Sequence, residues 1–124
     1  LLGSTGSIGT STLKVVEDLP DLLRLVGLAA GGNADLLAEQ ALRHHPTAVS
    51  LQDPARAAEL TSRLPGIAVH SGAEGLIRLA TLPEADIVTS HGVWSWVGQP
   101  ARDGIVRLLR QKLRAGGILH VSYN

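Results

Sequence analysis

The sequence predicts an α/β fold, a parallel sheet in three αβα layers with about six strands. Two observations predict it. Short apolar runs of β type alternate with amphipathic runs of helical period along the chain, and turn-forming residues stand at nearly every junction. Each crossover between parallel strands is right-handed and drops a helix onto the sheet, so alternation of this kind covers both faces. With 124 residues the chain is one domain's worth and buries one core.

Each element has its own signal. Leu1-Leu2 is the stub of a first strand, where an ordinary strand has about five or six residues, so the chain reads as opening inside a strand. A helix follows from about Ser7 to Glu17, with Ile8, Leu13 and Val16 expected on one side and "DLPD" ending it. "LRLVGLAA" (Leu23 to Ala30) is the second strand. Gly31-Gly32 turn the chain, and Asn33 caps a helix carrying Leu36, Leu37, Ala41 and Leu42 that stops at Pro46. "TAVSL" is the third strand. Asp53-Pro54, a cap followed by proline at the first helical position, opens a helix with Ala57, Leu60, Thr61 and Leu64.

"GIAVHS" is a short fourth strand, "AEGLIRLATL" a short helix, and "ADIVTS" (Ala85 to Ser90) the fifth strand. "PARDGIVRLLRQKL" is a long amphipathic helix with Ile105, Leu108 and Leu109 inward. Arg110, Lys112 and Arg114 suit its C-terminal dipole, and Gly116 its C-cap. "GILHVSYN" is the last strand and runs to Asn124, where the sequence stops as abruptly as it starts.

Composition narrows the function classes. Eleven Lys and Arg balance eleven Asp and Glu, which points away from nucleic acid and anionic membrane as partners. No apolar run is long enough to span a bilayer, and no signal-type segment precedes the first motif; a cytoplasmic location is the expectation. With no Cys there is neither a disulfide framework nor a thiolate zinc site.

Ligands of open parallel sheets sit beyond the carboxyl ends of the strands, here the loops at residues 3 to 9, 30 to 33 and 89 to 98. The first loop is G-S-T-G-S-I-G, with glycines at Gly3, Gly6 and Gly9 between a strand and a helix. There backbone N–H groups and the positive helix end meet an anion, and glycine lets a phosphate come close. The spacing is G-x-x-G-x-x-G rather than the usual G-x-G-x-x-G, so placement carries more weight than the glycines alone. A glycine-rich turn with no ligand is the plain alternative.

The end of the second strand selects the ligand. NAD-type and S-adenosylmethionine sites both usually place an acid there for the ribose hydroxyls, whereas this chain has Ala29-Ala30-Gly31-Gly32-Asn33. A ribose bearing a 2′-phosphate is not repelled by such a loop, and the reading tilts to NADP. Asn33 suits either a plain helix cap or an amide donor to that phosphate.

"LLGSTGSIGTSTLKVVEDLPDLLRLVGLAAGGNADLLAEQA" and the later "AEGLIRLATLPEADIV" resemble the N-terminal, Rossmann-like NADPH-binding domain of the 1-deoxy-D-xylulose 5-phosphate reductoisomerase family, over residues 1 to about 88. That family shares the opening G-S-T-G-S-I-G, A-G-x-N after the second strand, and E-G-L…A-D-I-V. The resemblance implies that Thr5, Gly6, Ser7 and Ile8 contact the cofactor pyrophosphate and ribose, and that Gly31, Gly32 and Asn33 contact the adenosine 2′-phosphate end. Family members often carry Lys or Arg where this chain has Gly32, which weakens the expected preference for NADP over NAD. The family's reaction, by the same resemblance, rearranges and reduces a phosphorylated ketose on the way to isoprenoid precursors with a divalent cation whose ligands lie beyond the matched part. The chain alone is then expected to bind a dinucleotide without completing catalysis.

After Val88 the family's N-A-I-V-G and N-K-E segments are not found; Tyr123 and the strand before it do not suit Asn124 as the start of N-K-E. Residues about 86 to 124 are instead similar to a bacterial class I methyltransferase group, a likeness carried by His91, Gly92, Trp94, Ser95 and Trp96. The expectation is one domain over 1–124, a fragment or a hybrid with a possible join near 86–90. An S-adenosylmethionine-binding module and a ligand-free scaffold are the alternatives.

Among the histidines, His44, His45, His70 and His120 read as surface or packing residues, since none has metal-ligand spacing. His91, just past the fifth strand, stands at the ligand edge, where loop packing and acid–base chemistry are both open. Trp94 and Trp96 suit either a cover for the core edge or an aromatic wall for a ring.

Overall fold

The computed structural model describes residues 1–79 and 82–123, Trp96 by its backbone alone. Ala80 and Thr81, in the expected "AEGLIRLATL" helix, and Asn124, the end of the expected last strand, lie outside the described residues, as does the Trp96 side chain. The elements run α1 (Ser7–Asp18), β1 (Gly27–Ala30), α2 (Ala34–His44), β2 (Ala48–Leu51), α3 (Pro54–Arg63), β3 (Ala68–Ser71), α4 (Gly72–Arg78), β4 (Ala85–His91), α5 (Val93–Trp96), α6 (Gln99–Lys112) and β5 (Leu113–Ser122).

β2 pairs in parallel with β1 on one side and β3 on the other, and β4 pairs in parallel with β5. Leu2 joins the two sets by parallel bridges to Ala29 and Ser90, giving the spatial order β3-β2-β1-Leu2-β4-β5. The N–H of Leu2 donates to the Thr89 carbonyl at 2.8 Å, His91 N–H to the Leu2 carbonyl at 3.0 Å, and Ala29 N–H to the Leu1 carbonyl at 3.0 Å. The described strands therefore number five, not about six. Two residues before the Gly3 turn are too few for a ladder, and the expected first strand is a single-residue bridge.

Alternation along the strands feeds two cores rather than the one expected, because a sheet covered on both faces buries a separate set of side chains on each. Leu28, Ala30, Val49 and Leu51 point to one side, where they pack with Leu37, Ala38 and Ala41 of α2 and Leu60 of α3. Ala29 and Ala48 point to the other and join Leu2, Leu76 of α4, Val93 of α5 and Ile105 and Leu108 of α6. The αβα layering follows from this division.

Asp53 starts α3 as its pattern predicts, its Oδ1 accepting from the N–H groups of Ala55 at 2.9 Å and Arg56 at 3.4 Å. α2 ends at His44, with His45 in the left-handed region (φ 47°) just before Pro46, whose ring disfavours a helical predecessor.

Several boundaries and one helix face differ from expectation, β3 starting at Ala68 rather than Gly66 and β5 at Leu113 rather than Gly117. β1 begins at Gly27 rather than Leu23, because its partner β2 begins at Ala48 and the ladder reaches back only to the Thr47 N–H bond with the Val26 carbonyl. Ile8 does not share the inner face with Leu13: five residues turn a helix by about 140°, and Ile8 is 49% exposed where Leu13 is buried. α6 ends at Lys112 without using Gly116 as C-cap, since Leu113 already pairs with Ala85. The register then jumps to Ile87 opposite Ile118, a bulge that contains Gly116 at φ 81°. Arg114 leaves the helix end for this bulge and pairs with Glu84 at 3.5 Å and Asp86 at 3.2 Å.

Candidate functional site

The loops after Leu2, β1 and β4 meet at the carboxyl edge of the sheet. In the first, the N–H groups of Gly3 and Ser4 both donate to the Ala29 carbonyl, at 2.8 and 2.9 Å, which ties the turn to the end of β1. Gln40 of α2, itself buried, donates from Nε2 to the Ser4 carbonyl at 2.9 Å and fixes the loop from the helical side. Sequence reasoning missed this clasp. Its signal is a polar residue on the buried face of α2, three positions from Leu37.

The three glycines do different work. Gly3 has φ 82°, and a Cβ there would also meet the His91 carbonyl oxygen. A Cβ on Gly9 would press into the Gly3 carbonyl and lie 2.6 Å from the Ser4 oxygen, so α1 packs against the turn only through glycine. Gly6 is unlike both. Its φ is ordinary (−77°), and beyond its chain neighbours the nearest atom to an added Cβ would be the Gly3 oxygen at 3.6 Å. Nothing inside the fold requires glycine at Gly6.

Gly6 is also the N-cap of α1 and supplies no side-chain cap, so the helix start is open to an outside acceptor. Thr5 is half-buried, and Gly6, Ser7 and Ile8 are exposed around it. The fit to an anion is a backbone cradle with free space over Gly6 at the positive end of a twelve-residue helix.

The second loop continues this edge. Asn33 Oδ1 accepts from the Leu36 N–H at 3.1 Å, so its cap role is real and occupies only the oxygen. Gly32 is exposed, and a Cβ added there would have no atom within 4 Å. The Gln52 N–H donates to the carbonyls of Ala30 and Gly31, at 3.2 and 3.1 Å, which draws the start of α3 against this loop. Arg56, in the first turn of α3, donates from Nη1 to the Gly32 carbonyl at 2.5 Å. A cavity of about 80 Å³ opens on the same edge, lined by Gly3, Ala30, Gln52, Ala73, Val97 and Ala101 among others. It is too small for a dinucleotide, which would have to lie across the loops.

The third loop holds the residues of the second resemblance. His91 is the last residue of β4 rather than a loop residue, and its ring faces α1 and β5: Nε2 is 3.5 Å from Thr12 Oγ1, Nδ1 3.2 Å from Ser122 Oγ, and the His120 ring 5.0 Å away. Trp94 packs on the second core while the Arg102 guanidinium lies 5.7 Å above its ring. These contacts give His91 and Trp94 packing partners on the fold itself.

Burial lowers the pKa of His44, His70 and His91 below the ordinary imidazole value; for His91 the neighbouring His120 adds to the effect. For His44 burial outweighs the pull of Glu17, whose carboxylate lies 3.3 Å from Nε2. The unfolded chain therefore takes up protons at a higher pH than the folded one. The contribution of these three histidines to stability is full above about pH 6.5 and falls as pH drops from there toward the lowered values. The melting temperature is expected to be lower at pH 5.5 than at pH 7.5 at matched ionic strength; calorimetry showing the reverse contradicts the assignment. Among the described residues no three His, Cys, Asp or Glu side chains gather as metal ligands, and no helix is long and apolar enough to cross a membrane.

The family model of 1-deoxy-D-xylulose 5-phosphate reductoisomerase matches residues 1–101. The chain belongs to that family. The reductoisomerase of Nitratidesulfovibrio vulgaris (strain DP4) is 52% identical over 96 residues, covering 75% of this chain and 24% of that protein. The Synechococcus enzyme (strain ATCC 27144) is 46% identical over 94 residues, 73% of this chain and 23% of the relative. Thus the chain spans about a quarter of the length of the reductoisomerases it matches.

Among solved structures, the Zymomonas mobilis reductoisomerase in complex with NADPH superposes with a TM-score of 0.76 at 26% identity, over 98% of this chain and 30% of that one. A reductoisomerase in complex with NADPH, fosmidomycin and magnesium gives 0.72 at 27%, over 91% of this chain and 28% of that one. The family match passes Val88 and the expected join near 86–90, and the structural likeness continues through nearly all of the remainder. The methyltransferase alternative is not favoured by these likenesses.

Proposed function

We propose that this chain is the NADPH-holding portion of a reductoisomerase, a single domain over residues 1–124 that works in the cytoplasm. Its membership of the reductoisomerase family and its likeness to a family structure solved with NADPH support the reading. The observation that carries it is Gly6, a glycine the fold does not need, at an uncapped helix start on the carboxyl edge of the sheet. Thr5, Gly6, Ser7 and Ile8 would receive the pyrophosphate and its ribose at the helix end, Gly6 by the open space over it, since its own N–H donates to the Gly3 carbonyl at 3.3 Å, and the others through backbone N–H groups. Gly31, Gly32 and Asn33 would receive the adenosine end, without an acid to repel a 2′-phosphate.

Bound NADPH supplies a hydride, and this chain's part is to bind and orient it. The rearrangement and reduction of a phosphorylated ketose, and the divalent cation it uses, belong in this reading to the longer protein. Fluorescence titration with NADPH tests the proposal. Saturable binding by this chain, with no heat from S-adenosylhomocysteine in calorimetry, is expected; the opposite pattern overturns it.

A further inference from the structure

A dinucleotide's 2′-phosphate is a dianion, and the loop that would receive it offers no charge of its own. Gly31, Gly32 and Asn33 provide backbone N–H groups and one amide. The fold brings a cation there from another element. Arg56 stands in the first turn of α3, which the Gln52 N–H bonds hold against the loop, and one guanidinium N–H already donates to the Gly32 carbonyl at 2.5 Å.

We propose that Arg56 reads the ribose 2′-phosphate and sets the preference of this chain for NADPH over NADH; the inference rests on the dinucleotide reading above. A guanidinium has five N–H donors in a planar fork matched to phosphate oxygens, and the Gly32 bond uses one Nη1 hydrogen. Arg56 is exposed, and no carboxylate is in ion-pair contact with it among the described residues. The bare surface of Gly32 leaves space beside it for the phosphate.

The nearby acids are already engaged. Asp35, two residues beyond Asn33, is paired with Arg63 at 2.8 Å, and Asp53 Oδ1 is held by the N–H groups that open α3. Asp35 is thus paired with a cation, and one oxygen of Asp53 is taken up by the helix start. One arginine therefore remains for the phosphate while a second, one face-repeat along the same helix, offsets the acid next to it.

The test compares NADPH and NADH dissociation constants for the unaltered chain, Arg56→Gln and Arg56→Lys. α3 keeps its Asp53 cap and Pro54 start in both variants, so the fold is preserved. Arg56→Gln is expected to weaken NADPH binding by about tenfold to a hundredfold, the worth of a charge-assisted contact, while NADH binding stays within about twofold. Arg56→Lys is expected to keep part of the preference. Equal weakening of both cofactors would mean that Arg56 only shapes the Gly32 loop, and no change in either would remove it from the site; both overturn the proposal. An unaltered chain that binds neither cofactor would instead refute the dinucleotide reading, and the Arg56 assignment with it.

Discussion

Gly9→Ala is expected to lower the stability of the chain by about 3 kcal/mol or more, the upper range for forcing an extra carbon into packed backbone. The added Cβ would press on the Gly3 carbonyl and stand 2.6 Å from the Ser4 oxygen and 2.7 Å from its carbonyl carbon. Neither can yield cheaply. Gly3 and Ser4 are tied to the Ala29 carbonyl, and Ser4 is tied again to Gln40. Relief requires α1 to move away from the turn, which takes Leu13 out of the core shared with Leu28 and Leu37. Denaturant unfolding should show the loss as a lower midpoint; a midpoint within error of the unaltered chain would mean that the turn is not as closely packed as described.

Gly6→Val is expected to do the reverse. The valine has an ordinary backbone conformation to adopt and a nearest non-neighbouring atom 3.6 Å from its Cβ, so the melting temperature should change by no more than a few degrees. Its side chain would fill the space over the helix start where the pyrophosphate is proposed to lie. NADPH affinity is expected to fall at least tenfold, about 1.4 kcal/mol. A variant that melts normally and binds normally would remove the loop from the site, and one that unfolds would contradict the free space seen at Gly6. The two glycines, three residues apart in one motif, thus separate what the loop does for the fold from what it does for a ligand.

The alternation of runs, the caps at Asn33 and Asp53 and the glycine-rich turn were legible because each is a local signal: period, cap chemistry and turn chemistry all act within a few residues. Boundaries set by partners were not. β1 starts at Gly27 because β2 starts at Ala48, and α6 stops at Lys112 because Leu113 is claimed by Ala85. No window of sequence holds both members of such a pair.

The same limit applied to the site. The G-S-T-G-S-I-G motif marks its own location, but the different roles of Gly6 and Gly9 depend on where the Gly3 and Ser4 carbonyls point. Gln40 reaches Ser4 across 36 residues and Arg56 reaches Gly32 across 24. The missing cation at Gly32, which weakened the expected preference for NADP, is a feature of the loop alone. Once α3 is folded against that loop, a guanidinium stands there.

In the reading proposed above, this edge of the sheet holds a dinucleotide in the folded chain. A ligand that binds only the folded state raises the melting temperature in step with its concentration. The direct measurement is a thermal melt of the unaltered chain across NADPH concentrations up to about a hundred times its dissociation constant, where stabilisation amounts to about 2.7 kcal/mol. A progressive rise with NADPH is expected, absent with S-adenosylhomocysteine and smaller in Gly6→Val, by about 1.4 kcal/mol or more of stabilisation at the same concentration. A melt that stays fixed across millimolar NADPH would contradict it.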